Sequence, residues 1–237
     1  MTEYVPGRNT DNLPEAYKII HEPSAKYGVD IRSPSTARGL EEYATYQRRK
    51  REVGNDVLKG EGYPDILGFS TSQELLEYLK GKTVLDLGSG FNQFRRDIIE
   101  KHPDFPINII SVEPRLAIPA FREISNPDHV ADKTTNSVKG GSVAANWENL
   151  PFTDNSFDRV LSVFAFPYWV KNGEWGQIQK GCDEIIRITK SGGEIRLAPF
   201  TYGNLFTRYL EKKGCNYSII DTKATVDVPL CIVIKKP

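Results

Sequence analysis

An acid two residues ahead of a Gly-x-Gly turn, Asp86-Leu87-Gly88-Ser89-Gly90, is the spacing in this chain of 237 residues that most directly implies chemistry. Glycine at 88 and 90 admits positive φ and keeps Cβ atoms out of the path of an approaching ligand. A helix starting just beyond turns free N–H groups and the positive end of its dipole to the same point, so a negatively charged ligand group sits well there. A second acid, Glu113, follows at about the 20-residue distance at which α/β nucleotide sites place a carboxylate on ribose. Ribose offers two hydroxyl donors on one edge, and a carboxylate can accept both. Taken alone, Glu113 is equally an ordinary acid at a strand end. The dinucleotide fingerprint G-x-G-x-x-G needs a third glycine where this chain has Gln93, which disfavours a nicotinamide or flavin cofactor.

Elements able to hold these residues are legible in the apolar periodicity. The apolar run that opens at Thr83 ahead of the glycine turn and Ile107–Val112 read as strands, the first leading into a helix marked by Phe94, Ile98 and Ile99 that ends near His102-Pro103. Arg159–Val163 and Glu194–Ala198 are further strands around a helix over 174–190, with Ser191-Gly192-Gly193 as a turn. A helix follows over 205–212, then strands over 216–220 and 230–234 that lie too close in sequence for a helical crossover and so pair antiparallel. Upstream, Thr71-Ser72-Gln73-Glu74 is a capping box before Leu75, Leu76 and Leu79. Residues 1–34 read as a polar, proline-rich arm, residues 35–53 as a helix ending in Arg48-Arg49-Lys50-Arg51, and residues 54–68 as a glycine-rich connection. Beyond Glu113 a crossover helix is expected over 116–124, despite Pro119, and a polar loop over 125–141.

Val84-Leu85-Asp86-Leu87-Gly88-Ser89-Gly90 resembles the first motif of class I S-adenosylmethionine-dependent methyltransferases. The likeness extends to Leu150-Pro151-Phe152 with Asn155-Ser156-Phe157-Asp158, which follows the pattern of the small-molecule branch, and to the segment from Ile185 to Leu197. The family's third glycine is replaced by Asn92, the non-glycine residue that best tolerates left-handed backbone. The resemblance implies a Rossmann-like, seven-stranded, mostly parallel sheet with an antiparallel last strand, preceded by an amino-terminal helical elaboration. The expected division is 1–70 as arm and lid helices and 71–237 as the cofactor-binding domain.

The resemblance also implies roles. Gly88, Ser89 and Gly90 would face the methionine end of S-adenosylmethionine, with Asp86 shaping that loop through bonds to the cofactor or its water. Glu113, followed by Pro114, would hold the ribose. Asn146 stands where the branch commonly has an aspartate on the adenine amino group, and its amide can still accept there and donate to a ring nitrogen. Trp147 beside it either stacks on adenine or fills core. Phe164-Ala165-Phe166-Pro167-Tyr168-Trp169 is an aromatic cluster at a strand's carboxyl end, the edge where open parallel sheets bind ligands. Phe164 is expected to touch the cofactor, and Tyr168 is the candidate catalytic phenol near the methyl group. Ala165 stands where base-amine methyltransferases carry a polar residue, so methylation of a base amine is disfavoured.

The expected function is methyl transfer to a small or medium-sized acceptor by in-line displacement, where the protein contributes mainly alignment. No metal is required. Methylation of RNA or protein guided by Arg48–Arg51 is a second reading, set against a solvated helix end for that basic run. A non-catalytic nucleotide-binding protein of the same fold is a third.

Composition narrows the classes further. Lysine plus arginine and aspartate plus glutamate both number 31, so no bulk charge draws the chain to nucleic acid or an anionic membrane. With 39% hydrophobic residues and no long apolar run or apolar leader, the expectation is a cytoplasmic protein with no membrane span. Cys182, Cys215 and Cys231 lack metal-ligand spacing and read as buried free thiols.

Overall fold

The computed structural model describes residues 58, 62–90, 92–117, 138–168, 170, 174–200, 203–222 and 230–237. The arm, the helix expected over 35–53 with its basic run, Trp169, and most of the crossover segment after residue 117 lie outside the described residues.

The elements run α1 (Tyr63–Ile66), α2 (Ser72–Leu79), β1 (Thr83–Leu87), α3 (Gln93–Lys101), β2 (Ile107–Val112), a 3-10 turn (Pro114–Ala117), β3 (Val138–Val143), β4 (Phe157–Val163), α4 (Trp175–Ile188), β5 (Thr189–Ala198), α5 (Gly203–Lys212), β6 (Asn216–Asp221) and β7 (Leu230–Lys235). Seven strands form one sheet in the order β3-β2-β1-β4-β5-β7-β6. The pairs β1–β2, β1–β4, β2–β3 and β4–β5 are parallel, whereas β7 runs antiparallel to both β5 and β6. Order reverses between β1 and β4, the switch point outside which such sheets bind ligands.

Two apolar layers follow from strand alternation. Leu85, Leu87, Val160, Ile195, Leu197 and Ile232 face α4 and α5, where Ile178, Cys182, Ile185, Phe206 and Leu210 cover them. On the opposite face, Val84, Ile109, Leu161 and Val233 meet Ile66, Leu67, Leu75, Leu79, Phe94 and Ile98 from α1, α2 and α3. All three α2 leucines are buried, Leu75 and Leu79 on this second face. The capping box forms: the Glu74 backbone N–H donates to Thr71 Oγ1 at 3.1 Å. Its reciprocal half is shifted by one residue, because the Glu74 carboxylate accepts from the Ser70 N–H rather than from that of Thr71.

Local elements depart from sequence expectation in three places. The glycine-rich connection contains α1, opened by Pro64 at its first positions, where a missing N–H costs nothing. The polar loop after residue 125 is shorter than expected, since β3 begins at Val138; Gly140 lies so close to β2 that a Cβ there would stand 1.7 Å from the Ile109 carbonyl oxygen. Ser191-Gly192-Gly193 is not a turn between elements but a bulge within β5: register passes from Phe157↔Thr189 to Arg159↔Glu194, with Gly192 at φ 72°. All three cysteines are buried and free. Among the described residues no helix is long and apolar enough to cross a membrane.

Candidate cofactor site at the carboxyl edge of the sheet

Every loop that leaves the carboxyl end of β1, β2, β3 or β4 carries one or more of the sequence-nominated residues, and short contacts tie these loops together. After β1, the N–H groups of Gly88 and Ser89 both donate to the Val112 carbonyl, at 2.8 and 3.0 Å, fixing the glycine turn to the end of β2. The Glu113 N–H in turn donates to the Val143 carbonyl at 3.1 Å, which fixes the end of β2 to β3.

Gly88 has two separate reasons to be glycine. Its φ is 75°, and a Cβ would lie 2.1 Å from the Ala165 Cβ, so the glycine turn and the loop after β4 are in van der Waals contact there. Gly90 has φ 54° but a Cβ on it would meet nothing within 4 Å. That open side is the cradle expected where a ligand approaches backbone closely. Asn92 holds the left-handed conformation, φ 54° and ψ 30°, at the start of α3. It is kept there by its side chain: Oδ1 accepts from Ser89 Oγ at 2.7 Å and Nδ2 donates to Ser142 Oγ at 3.0 Å.

Asp86 is fully buried at the end of β1. Its Oδ1 accepts from the Tyr63 hydroxyl at 3.0 Å, while Oδ2 is buried with no hydrogen-bond partner. Burial pushes the Asp86 carboxyl up to about 7, opposed by the Tyr63 bond and reinforced by the nearby Glu113 charge. The Tyr63 ring stacks on Phe94 of α3, centroids 4.2 Å apart, so the phenol is held rigidly over the acid. Its own ionisation is driven well upward, first by burial and then by the charge of Asp86. A buried acceptor with one unsatisfied oxygen calls for a donor from a ligand.

The Glu113 carboxylate is 6% exposed and is reached by donors from both sides. Oε2 accepts from the Gly90 N–H at 3.2 Å, which couples the second acid directly to the glycine turn. Arg115 engages the same carboxylate through its backbone N–H and its guanidinium, the closest contact being Nε to Oε1 at 2.7 Å. Pro114, half-buried, opens the 3-10 turn that carries Arg115.

Asn146 and Trp147 lie just beyond β3. Asn146 is exposed and bridges backbone to backbone with Asn149. Trp147 is half-buried, its ring tilted against Phe166 at 5.9 Å, so one side of the indole belongs to the core. Phe164 has φ 52°, a strained conformation for an aromatic residue, held by its N–H donating to the Ala198 carbonyl at 2.7 Å. Tyr168 packs edge-on to Phe164 at 5.7 Å.

Three participants were not singled out in the sequence: Tyr63, Arg115 and Ser142. Tyr63 had the Pro64 helix-start signal beside it, and Ser142 lay directly after the stretch read as a polar loop. Arg115 carries no signal in an isolated sequence, because an arginine after a strand-end acid is commonplace. Among the described residues no group of histidine, cysteine or acidic side chains could hold a metal ion.

Comparison with known proteins agrees with this geometry. Residues 85–197 match a family model described as a methyltransferase domain. The chain is 27% identical over 136 residues to a demethylmenaquinone methyltransferase of Paenarthrobacter aurescens; the match covers 55% of this chain and 46% of that protein, so it spans about half the length of the curated relative. Among solved structures, a protein of Methanococcus maripaludis assigned as an S-adenosyl-L-methionine-dependent methyltransferase superposes with a TM-score of 0.57 at 18% identity, covering 86% of this chain and 94% of that one. A TehB-like S-adenosylmethionine-dependent methyltransferase of Corynebacterium glutamicum gives 0.54 at 13% identity, covering 85% and 100%. Motif, sheet order and these matches agree: residues 85–197 are similar to a methyltransferase domain, and the chain has the fold of the S-adenosylmethionine-dependent methyltransferases on which it superposes.

Proposed function

We propose that the protein transfers a methyl group from S-adenosylmethionine to a small or medium-sized acceptor. The observation that carries this reading is the pairing of Gly90 and Glu113 on one side of the turn with the unsatisfied Asp86 oxygen on the other. The donor set suits an adenosyl amino acid: a carboxylate for a diol, a buried acid for a donor, and an open glycine backbone. Gly88, Ser89 and Gly90 with Asp86 take the amino-acid end, Glu113 with Pro114 the ribose, and Asn146 with Trp147 the adenine. Phe164, strained at the end of β4, borders the same edge.

Bound there, S-adenosylmethionine supplies a methyl group on a positively charged sulfur, an electrophile that needs no further activation. The chain's part is to align and to exclude water, and alignment alone can supply several kcal/mol. Residues 71–237 carry the residues assigned to the cofactor, and residues 1–70 are an elaboration whose Tyr63 completes the site through Asp86. Tyr168 is the candidate base, which as its phenolate would take the proton of a hydroxyl acceptor. A Tyr168→Phe variant is then expected to lower kcat by roughly 10²-fold while leaving S-adenosylhomocysteine affinity unchanged. Unaltered turnover would remove Tyr168 from the reaction. The small-acceptor class is supported by Ala165 at the position where base-amine enzymes carry a polar residue, by the balanced charge, and by the substrate named for the curated relative.

Calorimetric titration with S-adenosylhomocysteine and, in parallel, NAD tests the cofactor. Micromolar binding of the first alone, weakened at least tenfold by Glu113→Ala, is expected. Failure of the wild-type protein to bind S-adenosylhomocysteine would sink the reading.

A further inference from the structure

Arg115 occupies the part of Glu113 that a ribose needs. An ionised carboxylate has about four lone-pair positions, and in this site all four are engaged. Oε1 accepts from the Arg115 backbone N–H at 3.2 Å and from Arg115 Nε at 2.7 Å. Oε2 accepts from the Gly90 N–H at 3.2 Å and from Arg115 Nη2 at 3.1 Å. The two backbone donors are fixed by the turn after β2 and by the glycine turn, and both remain when a ligand enters. The two guanidinium bonds form a bidentate fork, one to each oxygen, in the arrangement that a vicinal diol would also adopt. With Glu113 only 7% exposed, its carboxylate has little further surface to offer.

We propose that Arg115 competes with the ribose hydroxyls for Glu113 and thereby sets the affinity and the ribose selectivity of the cofactor site. This rests on the assignment of Glu113 to ribose under the proposed function. Arg115 acts through Glu113 and is a positioning residue, not a catalytic one. The exchange is feasible because the guanidinium side is 26% exposed, so the side chain can turn to water, whereas Glu113 stays buried and must be satisfied by one donor pair or the other. A ligand lacking the diol cannot replace both guanidinium bonds. Such a ligand leaves the fork in place, so the competition weighs only on ligands whose diol must displace it, and the carboxylate is never left bare between ligands.

Adenosine and 2′,3′-dideoxyadenosine, both neutral, isolate this competition from charge on the methionine end. Titrations of each, and of S-adenosylhomocysteine, against wild type, Arg115→Ala, Arg115→Lys and Glu113→Gln make the test. Expected are a roughly three- to tenfold tightening of adenosine and S-adenosylhomocysteine in Arg115→Ala, with dideoxyadenosine unchanged, and a smaller gain in Arg115→Lys, which keeps charge but loses the fork. Raised salt should also tighten adenosine on wild type and leave Arg115→Ala unaffected, because only the competing ion pair is screened. Unchanged or weakened adenosine binding in Arg115→Ala, or equal gains for adenosine and dideoxyadenosine, overturns the proposal. If wild type binds S-adenosylhomocysteine and Glu113→Gln weakens it while Arg115→Ala does not alter it, only the role of Arg115 falls. If no form binds S-adenosylhomocysteine, the methyltransferase reading falls with it.

Discussion

Asp86 is a carboxyl held in an environment that resists its charge, and the sign of the consequence can be worked out. Its folded-state value is raised from the ordinary 3.8 to about 7, so the folded chain holds a proton that the unfolded chain releases between those limits. Stability attributable to this group is therefore greatest below pH 4, declines as pH rises to about 7, and is level above. Asp158 and Glu184 behave oppositely: Thr83 and Lys190 hold Asp158 below its usual range, Arg187 does so for Glu184, and both lose their contribution only as pH falls below about 4. The two windows do not overlap. Thermal melts of Asp86→Asn across pH 4 to 8 are expected to lack the decline of the wild type, a difference of a few kcal/mol. Parallel curves for the two proteins would show that Asp86 ionises freely.

Gly88 offers a second residue-scale test. Gly88→Ala adds left-handed strain of roughly 1–2 kcal/mol and overpacking of roughly 1–3 kcal/mol against Ala165. Adding Ala165→Gly should restore the packing part and leave the strain, so chemical denaturation should place the double variant between the two. A double variant no better than the single one would show that contact with Ala165 is not the cause.

At the scale of elements, cap and strand chemistry decide what could be read. Thr71→Ala should cost about 1 kcal/mol in urea unfolding, since the Glu74 N–H loses its acceptor while the Leu75, Leu76 and Leu79 face is untouched. That helix was legible because a capping box and an apolar stripe agreed. β2 was legible to the residue, and β1 from its first residue, because each is an apolar run closed by an acid or a glycine turn. β3 was not, because Lys139, Gly140 and Gly141 carry no strand signal of their own. Gly140 is there to let the Ile109 carbonyl approach where the two strands pair. The bulge in β5 was misread for a related reason: Ser-Gly-Gly is turn chemistry, and only the register against β4 turns it into an irregular strand.

Across the whole molecule, the boundary drawn at residue 70 from sequence cuts through a shared interior. Leu58, Ile66, Leu67 and Phe69 lie in the same apolar layer as Val84 and Ile98. The Leu67 carbonyl accepts from Arg196 of β5, whose guanidinium also lies over the Phe69 ring at 4.2 Å. With roughly 1.5–3 kcal/mol for each large apolar side chain buried, loss of these four approaches the whole stability of a domain. A chain beginning at residue 71 is expected to melt far below the full chain and to lose S-adenosylhomocysteine binding, as scanning calorimetry and titration would show. Equal melting temperatures would make the segment dispensable. The glycine turn, the strand-end acid Glu113 and the aromatic edge could be nominated from sequence because each is local. Their partners Tyr63, Arg115 and Ser142 are set by tertiary neighbours that no short pattern encodes.

Were S-adenosylmethionine to bind as proposed, the orphaned Asp86 oxygen would make its capture a protonic event. Burial holds the Asp86 carboxyl up at about 7, and a ligand donor arriving at Oδ2 would favour the ionised form and expel the proton. Heat measured on binding will then depend on which buffer receives that proton, and between a phosphate and a Tris solution at pH 7 the same association should give two different enthalpies.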